Sequence, residues 1–180
     1  GLFCAYMLAV NGFKPLIIER GESIDNRVKT VEEFWKTGIL NKNSNVQFGE
    51  GGAGTFSDGK LTTGVNNPLC RRVLKEFVNF GAPKQIMYVN KPHIGTDILR
   101  KVIINMRKKI ISNGGEFKYN SHVTNIIISD NALEAIEINN KEIIICKNII
   151  LAIGHSARDT FKLLYEKGLN IEAKPFAIGL

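Results

Sequence analysis

Apolar residues recur with helical spacing in four segments of the first 115 positions. The run at 2–10, LFCAYMLAV, predicts a short apolar helix followed by Gly12, and the run at 13–19, FKPLIIE, predicts a short buried strand that ends on Glu19. Ser23 is the predicted N-cap of a second helix. Glycine-rich residues 49–64 predict a long loop.

Two further helices are predicted before residue 115. One begins at Pro68, a residue favoured at the first helical position, and ends at Gly81. The other begins at Asp97 and ends at the glycine pair 114–115. Their inward positions are Leu69, Val73, Leu74, Phe77 and Phe80 in the first, and Leu99, Val102, Ile103, Met106 and Ile110 in the second.

The apolar spacing becomes strand-like after residue 115. Short strands are predicted at 116–119, 123–128, 133–138 and 142–146. The last three are separated by two-residue turns, Asp130-Asn131 and Asn139-Asn140, which predict an antiparallel meander spanning about 123–146.

A continuous apolar run follows the meander. Residues 148–153, NIILAI, end at Gly154 and predict a strand buried on both faces. Ser156 and Asp159 have the spacing of a capping box, which predicts a last helix through Lys167. The whole order predicts an α/β fold in which a parallel sheet is interrupted by the three-stranded meander.

Composition narrows the function classes. The net charge of +7 is consistent with attraction to anions, but the lysines are spread over several elements, which favours solvated helix faces over a nucleic-acid surface. The sequence contains no run of 18 or more apolar residues, which is the length that would predict a membrane span. Three cysteines without framework spacing indicate a reducing cytoplasm, and three scattered histidines argue against a metal site.

Three segments carry candidate chemistry. A helix beginning at Gly1, a strand, and an acid at Glu19 match the second half of a dinucleotide-binding motif, in which the carboxylate accepts hydrogen bonds from a ribose. The segment at 48–63, FGEGGAGTFSDGKLTT, has enough glycine for backbone amides to converge on an anion. Gly154 ends the apolar run, and the adjacent His155 is either catalytic or locally hydrogen bonded.

Taken together, these segments resemble the uncharacterised FAD-dependent dehydrogenase family of bacteria. The resemblance rests on 1–5 with 14–20, on 45–63, on KPHIGTD at 91–97, and on LAIGHSARDTF at 151–161, and it covers nearly the whole chain. It implies a glutathione-reductase-type, Rossmann-like FAD-binding fold with the meander inserted. It also implies hydride transfer through bound FAD, with NAD(P)H as a candidate electron donor and a small-molecule substrate that the sequence does not identify.

The resemblance also implies roles for particular residues. Gly1 would lie beside the FAD pyrophosphate, Glu19 and Arg20 at the adenosine ribose, and the backbone of Val123 at the adenine. Gly154 would lie at a strand end near the cofactor. The glycine-rich loop would pass the pyrophosphate and flavin through Gly51, Gly52, Gly54, Thr55, Ser57, Gly59 and Lys60. No catalytic residue and no metal ligand is assigned.

The sequence departs from the family pattern at both ends. The opening strand and the first two glycines of the motif precede Gly1 in that pattern, and a substrate domain follows residue 180. We therefore expect residues 1–180 to form part of an FAD-binding domain and expect FAD binding by a longer parent. Two alternatives stay open, which are a flavoprotein-like fold that binds or modifies RNA, and an inactive fragment.

Overall fold

A computed structural model describes residues 1–57, 59–65 and 67–175 of the chain. The fold is mixed α/β and divides into two units, Gly1–His122 and Val123–Leu180. The first unit contains the helices α1 (Leu2–Val10), α2 (Ile24–Thr37), α3 (Pro68–Asn79) and α4 (Thr96–Ser112), the strands β1 (Leu16–Ile18) and β2 (Glu116–Lys118), and 3₁₀ turns at Ala53–Phe56 and Lys84–Met87. The second contains β3 (Val123–Ser129), β4 (Ala132–Ile138), β5 (Glu142–Ile145) and α5 (Arg158–Glu166).

A small parallel sheet joins the two ends of the first unit. β1 pairs with β2 in the register Leu16↔Glu116 to Ile18↔Lys118, and the backbone of Glu19 continues the pairing. The prediction of a buried strand at 13–19 is wrong in length and in burial. The strand has three residues, and Leu16 is 42% exposed, because β2 pairs with one edge of β1 and no described strand pairs with the other.

The core of the first unit is built on α4. All five of its predicted inward residues are buried, which confirms the helical spacing seen in the sequence. Four of the five residues, all except Ile110, pack with Ile24, Ala82, Ile86 and Ile94. α1 lies against the C-terminal half of α4, where Ala5 and Ala9 meet Ile110, and small side chains at this contact allow the two helices to approach closely.

The helix starts agree with the sequence in part. Asn67 caps α3 through its side chain, which accepts a hydrogen bond from the Leu69 amide. Ser23 occupies the N-cap position of α2, but its hydroxyl makes no cap hydrogen bond. In α3, Leu69 and Val73 are exposed although they were predicted to point inward, because they lie at the edge of the apolar arc that contacts the core.

The second unit contains the predicted meander. β3, β4 and β5 form an antiparallel sheet in sequence order, and α5 packs on β3. Asp130, Asn131, Asn139 and Asn140 all have positive φ angles between 48° and 63°, as tight hairpin turns require. The residue types at the two turns therefore set where each strand reverses.

Two predictions after residue 147 are wrong. Residues 148–153 form no strand, and Ile150 is 60% exposed, because none of the described strands of this unit pairs with the run. An apolar run specifies burial only where hydrogen-bonding neighbours exist on both sides. α5 begins at Arg158 with Ala157 as its N-cap, so Ser156 does not cap it. Among the described residues, none of the helices combines the length and the apolarity that crossing a bilayer requires.

Candidate functional site

The glycine-rich segment is held from inside by the guanidinium group of Arg27. This side chain projects from α2 and is fully buried. Its Nε donates to the carbonyl oxygen of Asn45 at 2.9 Å, and its Nη1 donates to the carbonyl oxygens of Gly49 (3.2 Å), Glu50 (2.7 Å) and Gly52 (2.9 Å). Because these carbonyls turn towards one cation, the loop has a defined backbone conformation even though it is rich in glycine.

Aromatic rings complete the environment of Arg27. Its guanidinium carbon lies 4.8 Å from the centre of the Phe56 ring, and that of Arg100 lies at the same distance from the same ring. Trp35 meets Phe56 edge to face at 6.4 Å. Burial lowers the pKa of Arg27 to about 10, an effect that the negative charges of Glu19 and Glu50 oppose. Arg27 is therefore a cation held in a partly apolar pocket by carbonyl dipoles and a π face.

A second buried charge, Glu50, connects the loop to the helices. Its Oε2 accepts hydrogen bonds from the Ile24 amide at 2.9 Å and from Arg107 Nη1 at 2.7 Å, and Arg107 Nη2 lies 2.9 Å from Asp25 Oδ2. The first amide of α2 is thus capped by Glu50. Burial raises the pKa of Glu50 above its ordinary value, although the Ile24 amide and the Arg107 charge favour the ionised form.

Arg107 and Tyr119 complete this charge cluster. Burial opposes the charge of Arg107, but hydrogen bonds with Tyr119 and Asp25, together with the charge of Glu50, raise its pKa overall. Burial raises the pKa of Tyr119, and the hydrogen bond with Arg107 acts in the opposite direction. The cluster fixes α2, α4 and the loop to one another by charge-assisted hydrogen bonds.

Glu19 connects the end of β1 to the glycine-rich segment. Its Oε1 accepts hydrogen bonds from the amides of Gly21 at 2.9 Å and Gly49 at 3.2 Å. The two glycines are closely packed, since a Cβ on Gly21 would lie 2.6 Å from the Gly49 Cα. Two segments that the family resemblance assigns to one cofactor therefore touch directly in the folded chain.

The turn after Glu50 presents several backbone amides that have no partner among the described residues. The amides of Gly51, Ala53 and Gly54 donate no hydrogen bond to any other residue in the described ranges. Gly52 has a φ of +68°, and a Cβ added at Gly52 or Gly54 would meet no atom within 4 Å. The carbonyls of this turn are directed to Arg27, while part of its amide surface stays open to an approaching group.

The other predicted loop residues have local roles. The hydroxyl of Thr55 is buried and donates to the Glu50 carbonyl at 3.4 Å, and that of Ser57 donates to the Gly54 carbonyl at 2.9 Å. The Gly59 carbonyl accepts a hydrogen bond from the Ile94 amide at 3.0 Å. Lys60 forms an isolated antiparallel bridge with His93, which joins the loop to the segment before α4.

The remaining predicted residues lie elsewhere in the two units. Gly1 is the N-cap of α1, and Arg20 stacks over the Phe48 ring at 4.8 Å. In the second unit, Val123 pairs with Ile138 at the start of the meander, and Gly154 has a φ of +71°. In the same unit His155 is exposed, and its Nδ1 lies 3.2 Å from Ser156 Oγ.

The sequence reasoning missed Arg27, Glu50 and Arg107. A signal was present for both arginines, because each lies on the apolar stripe of its helix. Arg27 shares its stripe with Ile24, Val28 and Val31 at spacings of three and four. Arg107 follows Ile103 by four residues and precedes Ile110 by three. A charge on an apolar stripe indicates a buried partner.

The described part of the chain contains no group of three or more histidine, cysteine, aspartate or glutamate side chains arranged to hold a metal ion. No family model matches the chain. The chain is 51% identical over all of its 180 residues to an uncharacterized protein of Clostridium beijerinckii. It spans about a third (34%) of the length of that relative.

Proposed function

We propose that this chain is part of an FAD-dependent oxidoreductase with a glutathione-reductase-type FAD-binding fold. One observation carries the proposal, which is the hydrogen bond between Glu19 at the end of β1 and the amide of Gly49 at the start of the glycine-rich turn. A strand-end carboxylate and an amide-rich glycine turn are the two groups that a dinucleotide needs, the first for its ribose and the second for its pyrophosphate.

The residues present fit an adenine dinucleotide at this place. Glu19 uses Oε1 for the two glycine amides, and its Oε2 accepts no hydrogen bond from a described residue, so this oxygen is free for a ribose hydroxyl. The open amides of Gly51, Ala53 and Gly54 are donors suited to phosphate oxygens. Because a Cβ at Gly54 would meet nothing within 4 Å, a ligand can approach this backbone closely.

The protein groups would bind and orient the cofactor. FAD, when bound, supplies a ring system that accepts and returns hydride. Arg27 donates hydrogen bonds to three carbonyls of the turn, which fixes the backbone that carries the open amides. Glu50 and Arg107 fix the turn to α2 and α4, so that little conformational entropy is lost when a ligand binds.

The test is flavin binding by the protein produced from the complete reading frame. We expect a yellow protein that retains FAD, or that takes up added FAD in equimolar amount by absorbance and by quenching of flavin fluorescence. A colourless protein that binds no added FAD would overturn the proposal.

The matched variants are Glu19→Gln and Glu33→Gln. Glutamine at position 19 keeps a carbonyl oxygen for the two glycine amides but removes the negative charge offered to the ribose. Glu33 lies exposed on α2 and controls for net charge. We expect weaker FAD binding in Glu19→Gln alone, with unchanged Trp35 fluorescence showing an intact loop. Equal affinity in both variants would exclude Glu19 from the site.

A further inference from the structure

The exposed face of α3 carries a stripe of positive charge. Pro68, Arg71, Arg72 and Lys75 follow one another at spacings of three, one and three residues, which places them on one side of a helix. The opposite side, with Leu74, Phe77 and Val78, packs against the core. All three basic side chains are exposed, so they are available to a ligand.

This stripe lines one side of a groove of about 510 Å³. Met87, from the second 3₁₀ turn, and Glu76 contribute the remaining lining side chains. Cavities of roughly 300–1,000 Å³ are the size that small-molecule ligands occupy. The three positive charges therefore lie together along one open surface groove, unlike the lysines that are spread over several elements.

The three cations have no carboxylate partner in the part of the chain that the structure describes. Within the described ranges, none of Arg71, Arg72 and Lys75 forms an ion pair, and Arg72 Nη2 donates a hydrogen bond to the Met7 sulfur at 3.7 Å. The carboxylate of Glu76 already accepts hydrogen bonds from the Tyr6 hydroxyl and the Asn79 amide, both at 3.1 Å. Like charges this close disfavour each other, and an anion in the groove would relieve that repulsion.

We propose that this groove binds the diphosphate group of a small phosphate-bearing ligand. Two guanidinium groups and one ammonium offer more donors than a single carboxylate can accept, whereas a diphosphate presents several oxygens over a few ångströms. The stripe from 68 to 75 is only roughly 10 Å long at 1.5 Å per residue, and single-stranded RNA needs a longer charged track with stacking rings.

The experiment titrates inorganic pyrophosphate into the full chain at low ionic strength and follows binding by calorimetry. We expect saturable binding, together with NMR shifts of the backbone amides of residues 69–79 and 84–87, whereas shifts at 51–54 would report a separate event at the glycine-rich turn. Arg71→Ala/Lys75→Ala should weaken the affinity by at least about tenfold. The matched control Lys101→Ala/Lys108→Ala removes the same charge from exposed positions of α4 and should stay within about twofold.

Two additional variants make the result specific. Glu76→Gln removes the negative charge in the groove and should tighten pyrophosphate binding, whereas Glu33→Gln, at an exposed position of α2, should leave it unchanged. Equal weakening in both double variants would overturn the proposal, since it would show general charge attraction. Absence of pyrophosphate binding would overturn the proposal as well. So would binding of a single-stranded RNA to α3 that pyrophosphate does not displace. Circular dichroism confirms that each variant is folded.

Discussion

Replacing Arg27 by methionine is the sharpest test of how the glycine-rich loop is held. Methionine keeps most of the volume of the side chain but removes every donor. Nη1 has two N–H groups and three acceptors, so one of its bonds is shared, and with Nε the side chain makes about three full hydrogen bonds. Hydrogen bonds to a charged group contribute about 1.5–3 kcal/mol each, which gives an upper limit of roughly 5–9 kcal/mol.

The measured loss should be smaller than that limit. Methionine removes the cost of burying a cation, a cost that the lowered pKa of Arg27 reflects, and the loop carbonyls can turn towards water. We therefore expect a loss of about 3–5 kcal/mol in the free energy of unfolding. At an m-value of about 2 kcal/mol/M, the urea midpoint falls by about 1.5–2.5 M.

The assay combines a local probe with a global one. Trp35 contacts Phe56, so its fluorescence reports on the loop, while circular dichroism reports on the helices. Amide exchange at residues 49–56 should accelerate more than exchange in α4. Lys29→Met, an exposed cation on the same helix, is the control and should change stability by less than about 0.5 kcal/mol. A loss below about 1 kcal/mol in Arg27→Met, with unchanged exchange, would refute the assignment of Arg27 as the support of the loop.

Three further predictions concern the core, the buried acid and the cofactor. Met106→Ala should cost about 2–5 kcal/mol in urea unfolding because Met106 is fully buried in the α4 core, and a loss under about 1 kcal/mol would contradict that packing. Because burial raises the pKa of Glu50 in the folded chain, the native state holds this proton longer than the unfolded state, and stability from this group falls as pH rises above the unfolded value of about 4.5. Unfolding free energies of Glu50→Gln and wild type, compared from pH 4 to 7, should therefore shift in favour of the variant with rising pH, and a shift the other way would contradict the sign. Glu19→Ala should weaken FAD retention by about 1–3 kcal/mol in equilibrium dialysis, and equal retention would remove Glu19 from the site.

The local elements could be derived from the sequence because their signals are local. The five inward residues of α4 follow from a spacing of three and four, and the hairpin turns follow from aspartate and asparagine at positions that need positive φ. The prediction of a strand at 148–153 was wrong for the opposite reason, because strand pairing is not a local property. Apolar composition does not state whether a hydrogen-bonding neighbour will be present, and pairing between strands is a property of the fold.

The candidate site likewise combines features that the sequence predicts with contacts that only the folded chain creates. The sequence by itself determined the helices of the first unit, the meander, Glu19 at the end of β1, and a glycine-rich segment capable of positive φ angles. Only the tertiary structure decided that Glu19 bonds the Gly49 amide, that Arg27 gathers the carbonyls of Gly49, Glu50 and Gly52, and that Glu50 caps α2. Helix and turn preferences arise between residues a few positions apart, whereas these contacts join residues more than 20 positions apart and form only when the packed core brings them together.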